Sequence, residues 1–156
     1  MRITLNIDES SATAFEAEIK QQFEAVKSPA QDAMTQRFFD IVQSNFGIAG
    51  PDRPWAWDPL KPSTIARYRK MGINRTYASL ELTGRLKASV TKQNGVESGT
   101  VSMSDADVPY ATSHHEGTSN MAARRVFPVD QGGEVMQWTQ GQCVEAATKA
   151  IENLLK

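Results

Sequence analysis

The residues best suited to chemistry in this 156-residue chain are His114, His115 and Glu116; the two histidines are its only ones. A metal centre there would need both imidazoles on one side. Adjacent residues of a strand point to opposite faces, and on a helix they diverge; helical metal pairs sit four residues apart. A zinc site would also need further acidic ligands, because the one cysteine, Cys143, is distant in sequence and no ligand spacing is recognisable. A hydrogen-bonding role for one histidine fits the pattern better than a metal-dependent hydrolase. Cys143 stands among residues of helical spacing and reads as a small, inert, half-buried residue. A lone thiol forms no intramolecular disulfide and suits a reducing compartment. No serine lies in a Gly-x-Ser-x-Gly elbow, and no glycine-rich phosphate loop is present. The 18 acidic side chains are scattered, so no paired-carboxylate site can be read from spacing. The expectation is a protein without catalytic residues, cofactor or metal, and not an enzyme.

Charge is the second candidate. The formal net charge is −1, but it is a cancellation between blocks. Residues 1–60 carry net −4, residues 61–92 net +7 and residues 93–156 net −4. The basic block holds Lys61, Arg67, Arg69, Lys70, Arg75, Arg85, Lys87 and Lys92 against a single acid, Glu81. Such a cluster is a solvated face, a contact for an acidic protein partner (a second copy included) or a nucleic-acid footprint without a recognised motif.

The elements that position these residues follow from periodicity. Ile3, Leu5 and Ile7 alternate with polar residues, as in a half-buried strand. Ser10 or Ser11 can cap a helix bearing Phe15, Ile19, Phe23 and Val26 on one stripe. Ser28-Pro29 reads as a break and restart. A second helix then carries Ala30, Met34, Phe38, Ile41 and Val42 and ends near Phe46-Gly47. Residues 47–62 interleave Pro51, Pro54, Pro59 and Pro62 with Trp55 and Trp57, which excludes a regular helix. Those tryptophans either fold back on the domain or anchor a partner subunit. Ser63 can cap a short helix stopped by Gly72, and Thr83 another running into Lys87. Strands follow at 89–92 and 100–103, joined through Asn94-Gly95. Residues 112–123 read as a polar loop, 124–127 as a last strand and Gly132-Gly133 as a turn. Val144, Ala147, Ile151 and Leu154 mark a C-terminal helix.

The fold class is therefore α+β in a single domain: a small, mostly antiparallel sheet with N-terminal helices and a C-terminal helix. Residues 1–46 form a strand and helical arm, 47–62 a Trp/Pro loop, and 63–156 the sheet and last helix. No apolar run reaches the about 18 residues of a membrane span. Asn6, Asp8 and Glu9 interrupt any signal-peptide core, so a soluble protein made in the cytoplasm is expected.

Four short motifs occur in order. The first is Trp57-Asp58-Pro59-Leu60, followed by Thr64 and Arg67. The second is Leu82-Thr83-Gly84-Arg85-Leu86 with Ser89. The third is Tyr110-Ala111, then His115 and Gly117, and the fourth is Arg125-Val126-Phe127. In this order they resemble the phage virion morphogenesis proteins, the tail-completion proteins of Mu-like and related tailed phages. The resemblance spans about residues 30–155. It departs at Ala123, where the family has proline, at Pro128, which follows the Phe, and in the shortened His115–Gly117 spacing. It implies a non-enzymatic virion protein at the head-proximal end of the tail, made in the bacterial host cytoplasm. It also implies a closed ring of six copies, touching tail-tube and head-connector proteins. The alternative reading is a nucleic-acid-binding protein using segment 61–92.

Overall fold

The computed structural model describes residues 9–47, 57–76, 80–95, 98–104, 106, 108–130 and 132–156. The expected strand at Ile3–Ile7, Trp55 and most of the Trp/Pro loop lie outside the described residues. The elements are helices α1 (Glu9–Ser44), α2 (Pro62–Lys70) and α3 (Arg85–Ala88), strands β1 (Val90–Asn94) and β2 (Gly99–Met103), and helices α4 (Ala111–Glu116) and α5 (Gln137–Leu154). The architecture is α+β, as expected, with a two-stranded antiparallel sheet. No described helix is long and apolar enough to cross a membrane.

Helix α1 is continuous through Pro29, so the expected break at Ser28-Pro29 is corrected. A proline costs the helix one backbone bond, here to the carbonyl of Ala25. Ala25 is exposed, so water can take that bond. Ser10 and Ser11, expected as caps, lie in the first turn instead. At 36 residues α1 is about 54 Å long. Its two halves differ. Residues 13–25 are all exposed, the Phe15–Ile19–Phe23 stripe among them. The second half carries the core face: Ile41 and Val42 are buried, and the chain just beyond the helix adds Asn45 and Phe46.

The core gathers Val42, Phe46, Leu86, Val90, Val108, Ala111 and Val126, with Phe38, Trp57, Leu80 and Phe127 packed around it. Helix α5 lies along α1, and both strands pack on α1 as well. The buried residues of α5 are Thr139, Cys143 and Ala147 at four-residue spacing. The expected stripe is rotated, since Val144 and Leu154 are exposed. Small side chains on the buried face let two helix backbones approach closely, which larger residues at 144 and 154 would prevent.

Strands β1 and β2 pair in a register that sets Val90 opposite Met103 and Asn94 opposite Gly99. The turn therefore begins one residue later than Asn94-Gly95: Asn94 stays in the ladder, and the Gly95 amide donates to the Ser98 carbonyl at 2.8 Å. Helix α2 starts with Pro62 at its first position and Lys61 as cap, displacing Ser63; Gly72 follows its end, as expected. The cap of α3 is Gly84 at φ 71°, not Thr83, whose Oγ1 only accepts a long 3.5 Å bond from the Arg85 amide.

Two expectations in the last third are corrected. Residues 111–116 form helix α4 where a loop was expected. Residues 124–127 are not a strand. Their backbone is tied by side chains from elsewhere, leaving no ladder to build. The Gly132-Gly133 turn is present, closed by the Val129–Val135 bridge, with Asp130 Oδ1 accepting the amides of Gly132 and Glu134.

Candidate functional site

The four motifs, dispersed along the sequence, meet at one corner. The Trp57 indole Nε1 donates to the Arg125 carbonyl at 3.3 Å, joining the first motif to the fourth. His115 of the third packs edge-on against Phe127 of the fourth, ring centroids 5.5 Å apart. Leu86 of the second, Ala111 of the third and Val126 of the fourth share the core. Leu60 is buried, whereas Pro59, Thr83, Arg85 and Tyr110 are exposed. Trp57, His115, Gly117, Arg125 and Phe127 are half-buried. Trp55 lies outside the described residues.

Helix α4 explains how His114 and His115 separate. His114 turns to Tyr110, edge-on at 5.5 Å, while His115 turns to Phe127. The loop after α4 returns at once. The Arg124 amide donates to the His114 carbonyl at 2.7 Å, and Thr118 and Met121 form an antiparallel bridge. Gly117 sits under this return with φ 82° and ψ 176°.

One contributor carried no motif signal. Asn45 is buried, and its Nδ2 donates to the Val126 carbonyl at 2.7 Å. It satisfies a buried carbonyl that would otherwise cost about 1–3 kcal/mol. Its signal in the sequence is a polar residue between Val42 and Phe46 on an apolar helical face.

Both histidines are held below their usual pKa. Burial is the main cause at each; Arg124 adds repulsion at His114 and Arg125 at His115, where Glu116 partly opposes it. His114 Nδ1 and His115 Nε2 are buried without a hydrogen-bond partner among the described residues. Burial without a partner thus disfavours the charged imidazole in the folded chain. The unfolded chain binds these protons near the ordinary value of about 6.5. Between the lowered folded pKa and that value the unfolded state holds more protons, so stability rises with pH there. Melting temperature should hold steady above about pH 7 and fall as pH drops below about 6.5. A His114→Gln/His115→Gln variant should flatten that fall; an equal fall in the variant would place the titrating groups elsewhere.

The chemical inventory here is structural: neutral imidazoles, aromatic rings and backbone carbonyls held by side-chain donors. Cys143, on α5, is buried, and burial pushes its thiol pKa up, away from a reactive thiolate. Among the described residues no group of three or more His, Cys, Asp and Glu side chains is placed to hold a metal ion.

The basic segment divides over several elements. Lys61 and, on α2, Arg67, Arg69 and Lys70 are exposed and have no ion-pair partner among the described residues. Lys87 pairs with Glu81 at 2.7 Å, and Lys92 on β1 bonds the Gln36 side chain of α1. Comparison with protein-family models, curated proteins and solved structures finds no match to this chain.

Proposed function

We propose that this chain is a self-associating structural protein of a phage or prophage virion. It acts in tail completion or head–tail joining, as a ring at the head-proximal end of the tail. The observation that carries this reading is the convergence of four ordered motifs on one corner, where Trp57 bonds Arg125 and His115 packs on Phe127. Motif residues that maintain one fold are expected to meet in space, and the contacts at this corner support the reading. The ring would contact tail-tube and head-connector proteins and would be assembled in the host cytoplasm.

Disruption of the gene in its own phage or prophage is the test. DNA-filled heads and unjoined or overlong tails should accumulate in electron micrographs, restored by the gene in trans. Normal infectious particles from the disrupted strain would remove the reading.

A second reading rests on α2, a nine-residue helix with three exposed basic residues and no acidic one. It would bind a nucleic-acid backbone through Arg67, Arg69 and Lys70. Retention on DNA at about 50 mM salt, lost steeply as salt rises, is its signature. No retention at that salt discards it.

A further inference from the structure

The first half of α1 presents Phe15, Ile19 and Phe23 at 64%, 49% and 62% exposure. That is an apolar row along about 12 Å of helix. Elsewhere the same chain has an open groove of about 620 Å³ between the second half of α1, β2 and α5. Its apolar lining includes Met34 and Phe38 of α1, Val101 of β2, and Cys143 and Val144 of α5. Val144 is 57% exposed. The α1 wall, from Gln31 to Phe38, is about 10 Å long, matching the row.

The row cannot fill the groove of its own chain. Both belong to one continuous helix, and Ile19 lies about 22 Å along the axis from Met34. We infer that the row seats in the groove of a second copy of this chain, and the groove receives that copy's row in return. The two α1 helices then run antiparallel about a two-fold axis near Val26-Lys27. In that register Phe15 faces Phe38, Ile19 faces Met34 and Phe23 faces Ala30.

Charge agrees with this register. It sets Glu16 opposite Arg37 and Lys20 beside Asp32, all four exposed. Area agrees as well. The two phenylalanines of one row expose roughly 250 Å². Two rows with matching groove surface reach about the 1,000 Å² at which specific interfaces begin. A single row-in-groove contact does not, which favours the reciprocal pair. A pair of this kind is isologous, an association separate from the head-to-tail contacts that close a ring. The inference deepens the self-association in the proposed function and rests on that part of it.

Sedimentation velocity of the full chain at tens of micromolar tests the pairing, with circular dichroism as a check on folding. The wild type should sediment as a dimer or larger. Phe15→Asp/Phe23→Asp, altered only at exposed positions, and Val144→Asp should each sediment as monomers with helix content retained. An equal mixture of the two variants restores only one of the two contacts, so it should associate more strongly than either variant alone but well below the wild type. Glu16→Arg and Arg37→Glu should each weaken association by about tenfold, and their combination should restore it. An assembled wild type whose variants keep its mass overturns this interface and leaves the virion reading standing. A mixture that associates as tightly as the wild type overturns the reciprocal pairing. A wild type that stays monomeric overturns it too, and the particle phenotype of the disrupted strain then decides the functional reading on its own.

Discussion

Replacing Phe46 by alanine lowers stability by about 3–5 kcal/mol. Its ring is fully buried at the end of α1, in contact with the cluster of Val42, Leu86, Val90, Val108, Ala111 and Val126. Deleting it removes the transfer free energy of the side chain and leaves a cavity. The walls belong to α1, α3, β1, α4 and the 124–128 segment, so they cannot collapse together. The backbone on either side is also committed: the Phe46 carbonyl accepts from the Leu80 amide at 3.3 Å, and the neighbouring Asn45 holds Val126. For a chain of this size about 2–4 °C of melting temperature is lost per kcal/mol, so a fall on the order of 10 °C is expected. With a total stability of about 5–15 kcal/mol, part of the population would be unfolded at 37 °C. Phe46→Leu, which keeps most of the volume, should cost about 1.5 kcal/mol or less. Thermal and urea unfolding measure both. An alanine variant as stable as the leucine variant would mean that the cluster is not packed around this ring.

Gly117→Ala is expected to destabilise by about 3 kcal/mol, from two separate causes. At φ 82° and ψ 176° the residue occupies backbone space that is essentially reserved for glycine. A Cβ there would also lie 2.8 Å from the Ala123 amide nitrogen and 3.0 Å from the Met121 carbonyl oxygen. Both are main-chain atoms and cannot rotate away. The return of residues 118–124 over α4 would have to lift. It would take with it the Arg124–His114 bond and disturb the seating of His115 on Phe127. Gly84 separates the two causes. Its φ is 71°, but a Cβ there meets nothing within 4 Å. Gly84→Ala should therefore cost only the strain, about 1 kcal/mol. Urea midpoints of the two variants give the comparison. Equal losses would show that the loop does not press on Gly117.

The link between these two positions is the motif corner. Phe46 lies outside the four motifs and Gly117 within the third, yet each holds the 124–128 segment in place. That segment has no strand partner. Its carbonyls are served by Asn45 and Trp57, one from the end of α1 and one from the Trp/Pro loop. Substitutions at either position should therefore weaken the same corner that the proposed function relies on.

Local signals in the sequence determined the fold class, the hairpin strands, the helical character of 15–42 and 144–154, and the stop at Gly72. Each depends on neighbours within a few residues: alternation, four-residue spacing or a glycine after a helix. The same local rules misplaced what depends on distant partners. Pro29 reads as a break because a proline always removes a donor; whether the helix continues depends on whether the freed carbonyl can reach water. Residues 124–127 read as a strand because Val126 and Phe127 are strand-favouring types; whether they pair depends on who serves their carbonyls. The buried face of α5 reads as Val144–Ala147–Ile151–Leu154 by hydropathy; Ala147 is buried as read, but Val144 and Leu154 are exposed and close packing on α1 selects the smaller Thr139 and Cys143.

Segment charge, too, was legible as a block of net +7 between two of net −4, but blocks are not surfaces. Tertiary structure sends Lys87 to Glu81 and Lys92 to Gln36, while Lys61 and the basic residues of α2 have no ion pair among the described residues. It likewise decided that the Phe15–Ile19–Phe23 row stands in solvent while an apolar groove opens on the far half of the same helix. A helical period shows that a face exists. Only the position of every other element in space shows whether anything covers it.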